Sequence, residues 1–224
     1  MKQPASRILS AWLSAAMLAA AISTGLAGCS AAAWTAAQFA PPKKISALYR
    51  LPKDRKVLVF VDDYLSEVGY EPIKGLLAEG VNERLAKEEL VASTVPYRNL
   101  ADLATARGTF NELAVSQVGQ ELGAEVVLYV HIDAFSTKDL PDSPLWHGQF
   151  RATVRVVDVK TGRLWPTDRP EGHAVEPVEI PSSDNPAANY EAQLTEEMAS
   201  AMAERIVNLF RDHYVPATEA EKAE

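Results

Sequence analysis

Lys56-Val57-Leu58-Val59-Phe60-Val61-Asp62 is the stretch from which the rest of the chain is read: five apolar residues in unbroken succession, bounded by a lysine and an aspartate. An unbroken run of strand length, rather than an alternating one, marks a central strand covered on both faces. Residues 66–71 then read as a loop holding Gly69 and Tyr70. Pro72 suits the start of a helix, and Ile73, Leu76, Leu77, Val81 and Leu85 follow at helical spacing. Residues 90–95 read as a second strand, ended by Pro96.

Thr109-Phe110-Asn111-Glu112 has the Thr-x-x-Glu form of a capping box, predicting a helix that carries Leu113, Val118 and Leu122. Gly123 stands where such a helix needs a left-handed residue to stop. Residues 126–132 are again apolar throughout, a third strand. The order β-α-β-α-β is the signature of parallel pairing with crossover helices.

Beyond this point the pattern changes. Residues 136–147 form a loop with Pro141 and Pro144. Phe150, Ala152, Val154 and Val156 then alternate with Arg151, Thr153 and Arg155, which predicts a strand with one buried face. Lys160-Thr161-Gly162-Arg163 reads as a turn, with Leu164-Trp165 opening the return strand of a hairpin. Residues 173–180 suggest a further strand, kept at the edge by Pro177. Asn185-Pro186 suits a helix start, and Tyr190, Leu194, Met198, Met202, Ile206, Leu209 and Phe210 make one stripe of a long final helix. The expected fold class is therefore α/β: a mixed sheet, parallel β-α-β-α-β followed by an antiparallel hairpin, flanked by helices and closed by a long C-terminal helix.

The N-terminus carries a different message. Lys2 and Arg7 precede an apolar run from Ile8 to Thr24, which ends in Leu26-Ala27-Gly28-Cys29. A basic start, an apolar middle and a small-residue close make an export leader. The run is short for the ~20 apolar residues that a membrane span needs, and no basic stop-transfer cluster follows. Leu-Ala-Gly-Cys resembles the bacterial lipoprotein signal, which implies cleavage between Gly28 and Cys29 and a diacylglyceryl thioether on Cys29. Cys29 is the only cysteine of 224 residues, so no internal disulfide can form, and lipidation accounts for the lone thiol. Each buried lipid CH₂ contributes about 0.8 kcal/mol, and two or more chains anchor a protein stably. Ser30, compared with lipoprotein sorting, implies the inner leaflet of the outer membrane, facing the periplasm.

These readings divide the chain into a signal peptide (1–28), a lipid-anchored tether (29–55), a globular α/β domain (56–215) and a frayed acidic tail (216–224). Ala-rich residues 31–40 and Pro41-Pro42-Lys43-Lys44 give the tether its extended character, with a full reach of about 80 Å. Cleavage removes Lys2 and Arg7 and no acid, so the net charge moves from −8 to −10. Such an acidic chain lacks the basic field that draws proteins to nucleic acid or to anionic headgroups. The 196 residues that remain suffice for one domain.

Gly123-Ala124-Glu125-Val126-Val127-Leu128-Tyr129 and Val156-Val157-Asp158-Val159-Lys160-Thr161-Gly162-Arg163-Leu164-Trp165 carry a resemblance to a family. They resemble the fold shared by the curli secretion-channel lipoprotein and the lipoprotein activators of penicillin-binding proteins. Arg163 stands where that family has Glu. The likeness spans about residues 56–214 and implies a fold and an accessory role in the cell envelope. It does not bring the channel's long alternating hairpins, because residues 136–147 are short and proline-punctuated.

Catalytic chemistry is sparse. Asp62-Asp63 at the end of an apolar strand sits where ligands bind in open α/β sheets, and the stretch resembles the opening of a receiver domain, whose acidic pair holds Mg²⁺. The third aspartate of such a site is absent from residues 90–95. His131, His147, His173 and His213 have no zinc spacing, and no nucleophile elbow or phosphate loop occurs. No metal or cofactor is expected. Trp146 and Trp165 are candidate interface residues, since Trp is enriched at binding hot spots.

The leading expectation is a non-catalytic binding module that meets the membrane through acylated Cys29 and docks on an unidentified envelope protein, with no nucleic-acid partner. A small metal-dependent hydrolase using Asp62 and Asp63, with His131, is the alternative from another class. Assembly into a homo-oligomeric ring is a third reading.

Overall fold

The structure, a computed structural model, describes residues 42–63, 72–140, 142–184 and 189–216. Its elements in chain order are β1 (Lys43–Ile45), β2 (Lys56–Asp62), α1 (Pro72–Lys87), β3 (Ser93–Val95), α2 (Tyr97–Ala106), a 3-10 turn (Phe110–Glu112) and α3 (Val115–Glu121). There follow β4 (Val126–Ser136), β5 (Trp146–Asp158), β6 (Gly162–Trp165), β7 (His173–Ala174), β8 (Val178–Ser183), α4 (Tyr190–Asn208) and β9 (His213–Val215).

The mixed α/β sheet expected from the sequence is present. Of the seven strands of the large sheet, five run in the order β3-β2-β4-β5-β6, and β7 and β8 pair with β5 off that path. β2 lies parallel to both β3 and β4, whereas β4 and β5 are antiparallel. The long β5 carries β8, β7 and β6 in turn along its outer edge, which covers backbone groups that would otherwise be open to pairing.

Period-two alternation sends the residues of β2 to two cores. Val57, Val59 and Val61 pack with Val126, Leu128 and Val130 against α1 and α4. Leu58 and Phe60 pack with Val127 and Tyr129 against Leu100 of α2 and Val118 of α3. This double burial is why the strand is apolar at every position. Of the stripe read for the last helix, Leu194, Met198, Met202 and Ile206 are at or below 1% exposure, while Phe210, equally buried, lies past the helix end at Asn208.

Close approach is built in with glycine. A Cβ on Gly119 would lie 2.6 Å from Val127 Cγ2 and 2.8 Å from Val159 Cγ2, so α3 rests directly on the sheet. Gly123 has φ +65 and ends α3 as its position predicted.

Several expectations need correction. The second strand is only Ser93–Val95, because residues 90–92 turn out of α1. Tyr97–Ala106 is a helix that the sequence reading missed. Thr109 makes no side-chain cap bond and heads a 3-10 turn instead; the later helix starts at Val115, where Gln117 Oε1 accepts the Ala114 N–H at 2.9 Å. The third strand runs on to Ser136, which shortens the following loop. The edge strand expected over 173–180 is split at Pro177 into β7 and β8.

Asn185-Pro186, most of the tail (217–224) and the leader lie outside the described residues. The tether boundary at residue 55 also moves. Residues 46–55 belong to the same compact unit as the large sheet, Ser46–Asp212. There Leu51 is buried in the core, the Leu48 and Tyr49 N–H groups donate to Leu209 O, and Arg55 pairs with Asp158. β1 and β9 belong to a second unit, as a two-stranded antiparallel sheet with Lys43 opposite Val215.

Candidate functional site

The polar end of β2 is where the sheet meets a cleft. Beyond Val61 the alternation turns Asp62 to the face covered by α2 and α3, where its Oδ2 accepts the Tyr129 hydroxyl at 2.8 Å. Asp63 turns the other way and its Oδ1 pairs with Lys74 Nζ, in the first turns of α1, at 2.5 Å. Asp63 is 5% exposed, and its Oδ2 is buried with no hydrogen-bond partner.

A cleft of about 510 Å³ wraps around this strand end. Its walls come from Phe60 and Tyr129 on the sheet, Tyr97, Leu100, Ala101 and Ala104 on α2, and Phe110, Asn111, Leu113 and Val115 around the turn into α3. The position follows from topology. The chain leaves β2 for β3 on one side and returns to β4 on the other, with the two connections on opposite faces. Such a switch point opens a crevice at the carboxyl ends of parallel strands.

Aromatic rings give the cleft its shape. Phe60 lies edge-on to Tyr129 with centroids 5.5 Å apart and is tilted against Phe110 at 5.9 Å. Burial pushes the Tyr129 phenol well above its ordinary range, and the Asp62 carboxylate to which it donates adds to this. The Arg155 guanidinium, 4.6 Å from the ring centroid, opposes the shift only in part. Tyr129 is thus a fixed proton donor to Asp62 at neutral pH.

The side chains named for hydrolysis do not form one ligand set. Asp62 and His131 are register partners on β2 and β4, but Asp63 faces the opposite side of the strand. His131 Nε2 lies 3.9 Å from Asp133 Oδ1, its Nδ1 is buried without a partner, and the ring does not line the cleft. Among the described residues no group of three or more His, Cys, Asp or Glu side chains is placed to hold a metal.

Half-buried Trp165 packs among three rings: Tyr49 stacks at 5.9 Å, His173 lies at 5.0 Å and Phe210 at 5.8 Å. It closes the edge of the core. Trp146 packs edge-on against Tyr190 at 5.9 Å, with Lys138 Nζ 4.2 Å above its ring, while the neighbouring Leu145 and nearby Leu140 are exposed. His147 Nδ1 meets Asp139 Oδ1 at 2.5 Å at the base of the same loop. Gly28 and Cys29 lie outside the described residues.

The sequence reading found both aspartates but missed Tyr129, Lys74 and the aromatic wall of the cleft. Tyr129 sits in a buried strand where it reads as core, and α2, which supplies one wall, was not foreseen.

No family model matches the sequence, and no curated protein matches it. Among solved structures the chain is similar to lipoprotein GNA1162 from Neisseria meningitidis, with 18% identity over 68% of this chain and 98% of that one and a TM-score of 0.40. It is also similar to the PelC dodecamer from Paraburkholderia phytofirmans, with 12% identity over 77% and 99% and a TM-score of 0.40. Rare lipoprotein B from Shewanella oneidensis matches at 15% identity over 75% and 99%, with a TM-score of 0.33. Likenesses of this degree carry no argument about function.

Proposed function

We propose that this chain is a lipid-anchored accessory module of the bacterial cell envelope, held at a membrane through acylated Cys29 and acting by docking rather than by turnover. The observation that carries this reading is Leu26-Ala27-Gly28-Cys29, which closes an apolar run with the chain's only cysteine. Among the described residues no helix is long and apolar enough to cross a membrane, so in this reading attachment falls to Cys29. Ser30 favours the inner leaflet of the outer membrane, and the family resemblance favours a cell-wall synthase or a secretion assembly as partner.

The cleft supports binding over catalysis. Asp62 is engaged by Tyr129 and Asp63 by Lys74, and among the described residues no group of three or more His, Cys, Asp or Glu side chains gathers around them. The exposed Leu140 and Leu145 beside Trp146 offer an apolar contact for a protein partner.

Metabolic labelling with a palmitate analogue tests the anchor. The native chain is expected to take up label and sediment with membranes, and Cys29→Ala to remain as unprocessed, unlabelled precursor. A labelled Ala variant, or a native chain that stays soluble with a free thiol, overturns the reading. For docking, Leu140→Asp with Leu145→Asp is expected to abolish the crosslinked adduct in cells. Both sites are exposed, so stability should change by no more than about 0.5 kcal/mol per site.

A further inference from the structure

We propose that the cleft at the end of β2 is a binding site for an organic ammonium: a primary or secondary amine, protonated, carried on an apolar body. The proposal is independent of the lipid anchor. It rests on an unmet acceptor and on the chemistry of the walls around it.

Asp63 is the unmet acceptor. Its side chain is 4% exposed, one oxygen is held by Lys74, and the other is buried with no partner among the described residues. A buried carboxylate oxygen left without a donor costs as much as a lost charged hydrogen bond, and a donor supplied by a ligand at this end of the cleft would recover that cost. The missing partner must be an N–H or O–H donor.

The charge of the cleft makes that donor a cation. Among the described residues its lining holds two carboxylates, Asp62 and Asp63, against one ammonium, Lys74. An anion would face both carboxylates. A metal ion would find no third acidic, histidine or cysteine ligand among the described residues. The rings of Phe60, Tyr97, Phe110 and Tyr129 border the same space, and aromatic faces attract organic cations while covering their apolar portions. At about 510 Å³ the cleft is within the size range of small-molecule sites, and far larger than one bridging water requires. The orphaned oxygen favours a head that still carries N–H over a quaternary ammonium.

Phenethylammonium is a suitable probe, with neutral N-acetylphenethylamine, anionic phenylacetate and quaternary trimethylphenethylammonium as comparators. Binding to the full-length chain in neutral detergent is followed by calorimetry and by the shift in melting temperature. Saturable binding of phenethylammonium is expected, with the quaternary analogue weaker and the neutral and anionic ones not competing. Asp63→Asn should weaken it by roughly tenfold or more, as loss of a charge-assisted hydrogen bond implies.

Ala104→Trp fills the cleft from an exposed position on α2, leaves both carboxylates in place and should weaken binding at least as much. If Asp63→Asn fails to fold, this variant and the comparators decide. Absence of saturable binding, equal binding of the acetylated analogue, or unchanged binding in Ala104→Trp overturns the proposal.

Discussion

Asp158 ties three pieces of chain together. Its Oδ1 accepts the Lys160 and Thr161 N–H groups, each at 2.8 Å, and its Oδ2 meets Arg55. The Asp-x-Lys-Thr-Gly sequence is thus a self-capped turn, in which the aspartate satisfies backbone donors and Gly162, at φ +96, takes the left-handed position. Chief among the forces on its carboxyl, the Thr161 N–H bond lowers it from 3.8 to about 2, against the opposing effect of burial and with help from Lys160 and Arg55.

A folded value below the unfolded one stabilises the protein at every pH above 3.8, and that stabilisation fades as pH falls toward 2. Asp158→Asn should therefore cost about 1.5–3 kcal/mol at pH 7. Denaturant melts of both chains should converge near pH 2; a gap that persists there would show that the loss is not electrostatic. The sequence shows the turn at Lys160-Thr161-Gly162-Arg163 but gives Asp158 no part in it beyond a family likeness. Its physical role, like the pairing of Asp62 with Tyr129, depends on which groups the strands bring within hydrogen-bond distance, and spacing alone does not report that.

At the scale of elements, periodicity was informative wherever burial was deep. β2 and β4, covered on both faces, and the stripe of α4 were legible because nearly every position that packs is apolar. α2 was not, because only Leu100 is fully buried and Pro96 had been read as a strand end alone; Tyr97, Leu100 and Leu103 at three-residue intervals were the available signal. The capping-box reading at Thr109 failed since Gln117 satisfies the Ala114 N–H one turn later.

Two substitutions test the packing of these elements. Gly119→Ala would push a methyl into Val127 and Val159, lift α3 from the sheet and cost about 1–3 kcal/mol in chemical denaturation. Met198→Ala would leave a void between α4 and the sheet, where Met198 is fully buried, and should cost about 2–5 kcal/mol. A near-neutral Gly119→Ala would mean that α3 does not approach the sheet this closely.

For the whole molecule, the compact unit that holds the large sheet runs over Ser46–Asp212, against the expected domain of 56–215. Residues 46–55 mix charge with isolated apolar side chains, a composition that resembles a linker, yet Leu51 is buried and Tyr49 stacks on Trp165. Local pattern does not signal such a segment, because partners such as Leu209, just past α4, and Asp158, at the end of β5, lie more than a hundred residues away. A chain beginning at Lys53 should accordingly be less stable than one beginning at Ser46 by at least ~2 kcal/mol, the burial of Leu51 alone. Matched melting curves for the two truncations would contradict this.

The short ribbon of β1 and β9 has a practical outcome for anyone tracking this protein. Lys43 sits across from Val215, so the chain enters the ribbon beside the point where it leaves it. Thirteen residues, 30–42, separate Cys29 from that ribbon and can stretch no further than about 45 Å. An epitope grafted next to Val215 would, with Cys29 acylated as proposed, lie within about that distance of the membrane. Gly108, where an added side chain meets nothing within 4 Å, is the better place to graft one.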